Sequence, residues 1–464
     1  MTYQNARKLE IRDTHARRIE EFARTYKKNR PTIILIPGGM GSQIDRSAKP
    51  FRGNASLPFK KYDPIWMDLG IIFDHEALQL EIKDNGHDLD NHICIPNGPL
   101  RFLIEPYNAA ADFFRQKDYN YIVFAYDWRR PVVESAGFLK FFLRLLKNRV
   151  QDLRHVDPLP HTTLLCHSMG GLVVKVFLHR VLKQSATAAD VKQWMDRFVT
   201  VATPFYGAAT HMTRYYKGQE PLNIITGTQP LARVIGTLPG PYILMFLDRN
   251  TYARYADQLE IDRYPVRDSS HAGPEADPHD ENLFERYPPW VNRDYLHQAA
   301  GLQGAIARPL PDAVVERVFH FRATKKKTWV ELKWAEVNGA QYDPGSDDSP
   351  ISGRRGEGDG TVPSWSARLT QVPDSQVFNL SKARSHQELL EHPETLEGIH
   401  QLIKNDRLPK TFQAPDKLPG PAKASLPAVR QFMEDVSVGR IKREDLGATD
   451  EKLWRRIVQE VNLC

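Results

Sequence analysis

The chain has 464 residues, 41% of them hydrophobic and 26% charged, which is the balance of a globular protein and not of a disordered one. Its 63 basic and 57 acidic side chains leave a net charge of +6, too small a surplus to indicate nucleic acid as a partner. No run approaches the roughly 18 apolar residues of a membrane span, and the first 29 residues lack the apolar core of a secretory signal. We therefore predict a cytoplasmic protein without a membrane-spanning segment.

The predicted elements begin with a strongly charged helical pattern at residues 5–28, within a leading segment 1–29, which we expect to be solvated. A short apolar run, Pro31–Pro37, then predicts a buried strand that ends in a glycine-rich loop. Further apolar runs and helical patterns follow in alternation: the runs are Tyr121–Ala125, Thr162–Cys166, Arg197–Val201, Val315–Phe321 and Gln376–Leu380, and the helices are Val133–Leu153 and Met169–Leu182. This alternation predicts an α/β fold, with a mainly parallel central sheet and helices on both faces.

Two long intervals, residues 42–100 and 205–310, do not follow this alternation. Intervals of this length inside a compact domain are usually functional insertions, so we predict lid or cap insertions within a domain that spans residues 30–405. From residue 406 the chain is rich in proline and lysine, which predicts a linker, and a helical pattern follows towards residue 464. This C-terminal tail is a candidate site for a protein partner.

The strongest local motif is the segment Thr162–Gly171, in which an apolar strand, a sharp turn and a helical pattern follow one another. A serine at the apex of such a turn, here Ser168, is typical of a nucleophile elbow. Cys166 occupies the position two residues earlier, where glycine is usual. The alternative is that Ser168 only caps the helix that follows it.

A serine nucleophile needs a base and an acidic group that orients the base, and in this fold they follow the serine in the order Asp or Glu, then His. Asp359 lies in a glycine-rich loop, and His386 lies in a loop after the last predicted strand, so we predict these two as acid and base. His392 directly precedes a proline and is more typical of a helix entry. His167 faces away from the serine if the strand alternation continues, so we exclude it as the base.

The reaction also needs hydrogen-bond donors for the oxyanion of a tetrahedral intermediate. The backbone N–H of Met169, which follows the nucleophile, is the expected first donor, and the N–H of Gly39 or Met40 in the glycine-rich loop is the expected second. That loop has neither of the glycine patterns that cradle phosphate in nucleotide-binding proteins. The mechanism requires no metal or other cofactor, and the three cysteines form no metal motif.

With these residues in place, the chain resembles the lecithin:cholesterol acyltransferase-like family of α/β-hydrolases, which includes phospholipases and acyltransferases. Five blocks carry the resemblance across about residues 30–405: Ile36–Gly41, Ala125–Arg129, Cys166–Gly171, Ala202–Gly207 and Gly358–Pro363. The sequence departs from secreted members in lacking their secretion signal and the cysteine pair that staples a lid loop. We expect Asp127 and Arg129 of the second block to form a structural ion pair.

The resemblance implies an acyl-enzyme on Ser168 and implies that the two insertions bind the acyl chain. Expected substrate contacts are Trp66, Tyr206, Leu238 and Phe246, although the apolar segment Leu238–Phe246 is equally consistent with the packed core of a cap.

The function that we predict is hydrolysis of a carboxylic ester with an apolar acyl group. Alternatives are acyl transfer to an alcohol and a catalytically silent binding protein. The expected partner is an ester or lipid substrate, with transient contact to a lipid surface, and the sequence does not indicate an oligomeric state.

Overall fold

The computed structural model describes residues 1–53, 59, 61–66, 79–100, 107–217, 228–268, 275–334, 351–409 and 440. The predicted C-terminal tail therefore lies almost entirely outside the described residues, and its helical pattern stays a prediction. The strands are β1 Thr32–Ile36, β2 Ser42–Ser47, β3 Tyr62–Trp66, β4 Cys94–Pro99, β5 Asn120–Val123, β6 Thr162–His167, β7 Arg197–Val201, β8 Val266–Asp268, β9 Val318–Arg322, β10 Lys326–Trp334, β11 Ile351–Gly358 and β12 Val377–Asn379.

The helices follow the same order along the described residues. They are α1 Tyr3–Thr25, α2 Asn108–Gln116, α3 Val132–Arg154, α4 Met169–Val181, α5 Ala188–Lys192, α6 Ala209–Lys217, α7 Thr228–Gly236, α8 Arg249–Tyr255, α9 Arg293–Ala307, α10 Asp312–Val315 and α11 Pro393–Asn405. Short 3₁₀ turns connect several of these elements.

The core of the molecule is a six-stranded sheet in the order β12-β9-β7-β6-β1-β5, in which every neighbouring pair is parallel. The strands β1, β6, β7 and β9 are buried along their whole length. Continuous burial requires covered faces on both sides, which explains why these segments are apolar and β-branched without alternation.

Alternate residues of each strand enter two different cores. In β1, Ile34 and Ile36 belong to the larger cluster, whereas Ile33 and Leu35 belong to a second cluster. Helix α4 contributes to the first of these cores, and helices α2 and α11 contribute to the second. The predicted α/β-hydrolase arrangement, a mainly parallel sheet with helices on both faces, is confirmed.

Helix α1 is not the solvated helix that its charges predict. Its residues Arg7, Glu10 and His15 are buried, and the helix packs against α3. The Arg7 guanidinium donates to Asp127 at 2.8 Å and to Glu134 at 2.6 Å. The prediction was wrong because the partners that allow these charges to be buried lie far away in sequence.

A buried ion cluster surrounds Asp127 of the Tyr-Asp-Trp-Arg block. Arg129 contacts both of its carboxylate oxygens, at 2.9 and 2.8 Å. Asp88 accepts from Arg130 at 2.6 Å and lies 3.0 Å from Arg129. Burial alone raises the pKa of both carboxyl groups, but the surrounding guanidinium groups outweigh it and hold each pKa below its usual range. The expected structural ion pair is therefore part of a larger cluster that ties α1 to the sheet.

Two small sheets lie outside the central one. The first, in the order β3-β2-β4, is antiparallel and falls within residues 42–100. The second has the order β11-β10-β8. In the sequence, β10 and β11 lie between β9 and β12, whereas β8 precedes β9. The strand β11 ends at Gly358, so Asp359 follows this antiparallel excursion and does not follow the central strand directly.

Candidate active site

Ser168 lies at a strained turn between β6 and α4, with φ 49° and ψ −128°. A non-glycine residue occupies such a conformation only where its surroundings enforce it. The Ser168 N–H donates to the carbonyl of Val201 at 2.9 Å, and a Cβ at Gly170 would collide with the carbonyls of Ile36 and Pro37. The small residues after the serine are therefore required because the helix begins directly against the end of β1.

Cys166, the departure from the usual glycine, points into the larger core and is fully buried. Burial raises the pKa of its thiol well above the ordinary value. An unionised thiol in a core is a packing group and a poor nucleophile. The position thus accommodates a cysteine side chain without placing a competing nucleophile at the elbow.

Asp359 and His386, separated by 27 positions in the sequence, are hydrogen-bonded to each other, with 2.6 Å between Nδ1 of His386 and Oδ2 of Asp359. The other carboxylate oxygen accepts from the N–H groups of Thr361 at 2.9 Å and Val362 at 2.7 Å. Both side chains are buried. These backbone donors fix the carboxylate, and the carboxylate in turn fixes the imidazole ring.

The second ring nitrogen of His386 has a different environment. In a neutral imidazole whose Nδ1 donates to Asp359, Nε2 is the unprotonated nitrogen and can accept a proton. Among the described residues it has no hydrogen-bond partner, although it is buried. A buried acceptor of this kind is unfavourable unless another group supplies the hydrogen bond.

The two histidines that we set aside have other partners. Nδ1 of His392 accepts from the N–H of Glu394 at 3.2 Å, which caps helix α11. The ring of His167 is bonded to the hydroxyl of Tyr107 and to the main-chain oxygen of His386. Neither ring is hydrogen-bonded to Asp359 in the described contacts.

A cavity of about 40 Å³ lies next to Ser168. Most of its lining is apolar: Gly39, Met40, Trp66, Leu80, Trp128, Met169, Leu231, Val234, Ile235, Leu238, Pro241 and Leu244, with His211 and Arg214 as polar members. The three residues expected to supply oxyanion donors, Gly39, Met40 and Met169, are thus brought together around the serine. Met40 has a positive φ of 63°, and its carbonyl accepts from the indole of Trp66 at 2.7 Å.

Of the four expected substrate contacts, Trp66 and Leu238 line this cavity. Tyr206 and Phe246 are not among its lining residues. Both rings stack on Trp365, with centroids 6.5 and 5.7 Å away. The Tyr206 hydroxyl is in addition held by Thr370, whose N–H donates to it at 3.0 Å. These two aromatic side chains belong to the packed core beside the cavity.

Sequence reasoning missed His211 and Arg214, which lie one turn apart on α6. Nη1 of Arg214 donates to Nδ1 of His211 at 3.1 Å, so the proton of the neutral imidazole is on Nε2. Burial, and then the charges of Arg214 and His386, lowers the pKa of His211 well below its ordinary value. Their i, i+3 spacing directly after the Ala202–Gly207 block was the only available signal, and it does not indicate the cavity by itself.

The described residues contain no group of three or more His, Cys, Asp or Glu side chains arranged to hold a metal ion. Among the described helices, none is both long and apolar enough to cross a membrane.

Comparison with known proteins gives one family match. A family model described as lecithin:cholesterol acyltransferase matches residues 112–229, about a quarter of the chain, including α3, the elbow and the Ala202–Gly207 block. The resemblance that the motifs indicate is thereby confirmed. A family of this kind transfers acyl groups of lipid esters, so the match supports an enzyme of the general ester hydrolase or acyltransferase class.

Two solved structures are similar at low identity. One is the crystal structure of the Tle4-Tli4 complex, at 14% identity and a TM-score of 0.49, covering 82% of this chain and 99% of that one. The other is the Bacillus licheniformis lipase BlEst2 in its mature form, at 13% identity and a TM-score of 0.28, covering 81% and 93%. No curated protein matches the sequence.

Proposed function

We propose, from the likeness of residues 112–229 to the lecithin:cholesterol acyltransferase family, that the chain is a serine hydrolase acting on carboxylic esters with apolar acyl groups. Ser168 is the nucleophile, His386 the general base and Asp359 the group that orients it. The observation that carries the proposal is the buried Asp359–His386 pair, whose outer nitrogen Nε2 has no partner among the described residues. The serine hydroxyl and then the leaving alcohol supply the hydrogen bonds that this nitrogen lacks.

In the first step, Oγ of Ser168 attacks the carbonyl carbon and its proton passes to Nε2 of His386. The negative charge that develops on the carbonyl oxygen is stabilised by the N–H groups of Met169 and of Gly39 or Met40. The C–O bond to the alcohol then breaks, and His386 returns the proton to the departing oxygen. The products of this step are the free alcohol and an acyl-enzyme on Ser168.

The lining of the cavity indicates the class of substrate. Apolar side chains from both long intervals surround Ser168, with Trp66 and Leu80 from residues 42–100 and Leu238 and Leu244 from residues 205–310. We therefore assign the two intervals to the cap that binds the acyl chain. The present space of about 40 Å³ is far smaller than typical ligand sites of roughly 300 Å³ or more. Binding of an acyl chain thus requires the lining elements to separate.

The acyl-enzyme is resolved by water in a hydrolase and by a second alcohol in an acyltransferase. His386 activates either acceptor in the same way, so the two activities differ only in which hydroxyl reaches the ester carbonyl. Product partition between free acid and new ester, measured as a long-chain alcohol is titrated, separates them. The absence of transfer at every alcohol concentration would exclude the acyltransferase.

The experiment that tests the proposal is reaction of the purified full chain with a fluorophosphonate probe. We expect wild type to be labelled, Ser168→Ala to be unlabelled, and His386→Ala to react about 10⁴-fold more slowly. Cys166→Ala is the matched control, since it alters the same elbow without removing a proposed catalytic group, and it should label like wild type. Folded wild type that is not labelled would favour a catalytically silent binding protein.

The cytoplasmic location, the transient contact with a lipid surface and a partner for the C-terminal tail stay predictions from the sequence. Deletion of the residues after 405 tests whether the tail is separable from the enzyme, and loss of both folding and activity would show that it is not. We expect the shortened chain to keep its activity on a small soluble ester.

A further inference from the structure

A chain of buried hydrogen bonds connects the glycine-rich loop after β1 to the main chain of His386. The N–H of Gly38 lies 2.9 Å from the hydroxyl oxygen of Tyr107. That oxygen lies 3.1 Å from Nδ1 of His167, and Nε2 of His167 lies 3.0 Å from the carbonyl oxygen of His386. These hydrogen bonds therefore run through His167, the residue that precedes Ser168.

The direction of each hydrogen bond follows from the chemistry of its ends. The N–H of Gly38 can only donate, so the Tyr107 oxygen accepts it and donates its own proton to His167. His167 accepts at Nδ1, carries its proton on Nε2 and donates to the His386 carbonyl, which can only accept. A single consistent arrangement thus satisfies all three contacts.

The surroundings keep this arrangement neutral. Tyr107 and His167 are each 2% exposed, and burial, followed by the charge of His386, lowers the pKa of His167 to about 3. The two imidazoles lie with their ring centroids 4.8 Å apart. A neutral His167 avoids a second positive charge beside His386 when His386 takes the proton of the serine.

The hydroxyl of Tyr107 also sets the shape of the glycine-rich loop. The N–H of Gly41 bonds back to the carbonyl of Gly38 at 3.1 Å, which closes the turn that contains Gly39 and Met40. A Cβ at Gly41 would lie 2.6 Å from the Tyr107 oxygen. The turn therefore packs directly on this hydroxyl, and its position depends on it.

We propose that Tyr107 and His167 are positioning residues, which fix the loop of the oxyanion donors and the main chain of the general base relative to each other across Ser168. This inference rests on the proposed function. Donors and base must each lie within a fraction of an ångström of their productive positions, and one hydrogen-bonded chain holds both.

The first test is Tyr107→Phe, which removes only the hydroxyl. With a soluble p-nitrophenyl ester we expect kcat to fall about 10-fold and KM to stay within about 2-fold, because the substrate contacts are unchanged while the transition-state geometry is lost. The matched control is Tyr121→Phe, in the same core cluster, whose hydroxyl has no hydrogen-bond partner among the described residues. We expect the control to retain the wild-type kcat.

The second test compares His167→Gln with His167→Leu. A glutamine can still donate to the His386 carbonyl, whereas leucine can neither accept nor donate, so kcat should fall less in the glutamine variant. When a His167 substitution is combined with Tyr107→Phe, the fold-loss in kcat should be smaller than the product of the two single losses, because both residues act through the same series of hydrogen bonds. Circular dichroism at the assay temperature verifies that the variants are folded.

The outcomes separate this inference from the proposed function. Wild type that hydrolyses the ester while Tyr107→Phe matches Tyr121→Phe would overturn the positioning role and leave the proposed function intact. A fall in kcat with equal effects of His167→Gln and His167→Leu would overturn the role of the bond to His386. Wild type that neither labels with fluorophosphonate nor turns over the ester would overturn both proposals.

Discussion

Two buried polar networks with different charge patterns occur in the protein. The first, which we name the ion cluster, consists of Arg7, Asp88, Asp127, Arg129 and Arg130. The second, the site network, consists of Asp359, His386, His167 and Tyr107. In the ion cluster each charge has an opposite charge beside it. In the site network a single carboxylate, that of Asp359, is hydrogen-bonded to the ring of His386, and Nε2 of that ring has no partner among the described residues.

The difference shows how burial alone fails to identify a functional site. Both networks are shielded from water, and both contain residues with shifted pKa values. Removing one member of a buried ion cluster destabilises the fold, because its partner is then left buried and uncompensated. Nε2 of His386 has no hydrogen-bond partner among the described residues, and in the proposed mechanism it accepts the proton of Ser168. We therefore expect substitutions in the two networks to separate activity from stability.

The largest effect is expected for Asp359→Asn. The amide oxygen can still accept from Thr361 and Val362, but the NH₂ group then faces Nδ1 of His386 and moves the imidazole proton to Nε2. The base is thereby blocked, and we expect kcat to fall about 10⁴-fold with little change in the free energy of unfolding. Ester turnover and urea unfolding measure the two quantities. A loss of stability with retained turnover would place Asp359 with the ion cluster.

Asp127→Asn should give the opposite pattern. Removing this charge leaves Arg7 and Arg129 short of one buried partner, and we expect the free energy of unfolding to fall by about 3–5 kcal/mol. The kcat of the protein that remains folded should stay within about 3-fold of wild type. The control is Asp118→Asn at an exposed ion pair with Arg30, which should cost at most about 1 kcal/mol. Loss of kcat without loss of stability in Asp127→Asn would contradict the comparison.

Acid gives the smallest effect, and between pH 7 and pH 5 it acts on buried imidazoles and not on the ion cluster. Since the pKa values of Asp88 and Asp127 lie below their usual range, the ion cluster keeps its charges between pH 7 and pH 5. A buried imidazole whose pKa is lowered makes the free energy of unfolding fall over that range. The reason is that the imidazole takes up a proton below about pH 6.5 in the unfolded state but not in the folded state.

His15, a buried histidine that belongs to neither network, allows this loss of stability in acid to be measured. It packs against Phe124 and Phe142, its ring nitrogens have no partner among the described residues, and burial, followed by the charge of Arg18, lowers its pKa to about 3. Between pH 7 and pH 5, His15→Leu should lose about 2 kcal/mol less stability than wild type. The control is Ile11→Leu, a change at a buried residue of the same helix that has no titratable group, and it should leave the pH dependence unchanged. Equal slopes for wild type and His15→Leu would contradict the assignment.

The sheet was predictable because its strands are encoded locally. The predicted strand Arg197–Val201 has the same first and last residues as β7. The predicted helix Met169–Leu182 extends one residue beyond the end of α4. Strands covered on both faces must be apolar throughout, so a short sequence window contains the whole signal. The order Ser168, Asp359, His386 along the sequence then predicted that the three loops carrying these residues lie near one another.

Residues whose environment is set by distant partners were not predictable in this way. Arg7 has the sequence pattern of a solvated helix, although it is buried against Asp127. Tyr206 lies in a family block and yet packs on Trp365, since no local pattern tells which side of a loop faces the cavity. His211 enters the lining only because α6 runs along it.

Helix α1 can dock fully during synthesis on the ribosome only after its partners, which lie much later in the sequence, have been made. Asp127, which accepts from Arg7, is synthesised 120 positions after it. Until Asp127 has emerged, Arg7 has Asp88 beside it but lacks its two closest carboxylate partners, Asp127 and Glu134, and the incompletely docked helix stays accessible to proteases and chaperones. A shortened gene that starts at Thr32, the first residue of β1, would leave the ion cluster without Arg7. The smallest fragment worth expressing therefore begins with the helix, even though no residue of the helix is among the described lining of the cavity beside Ser168.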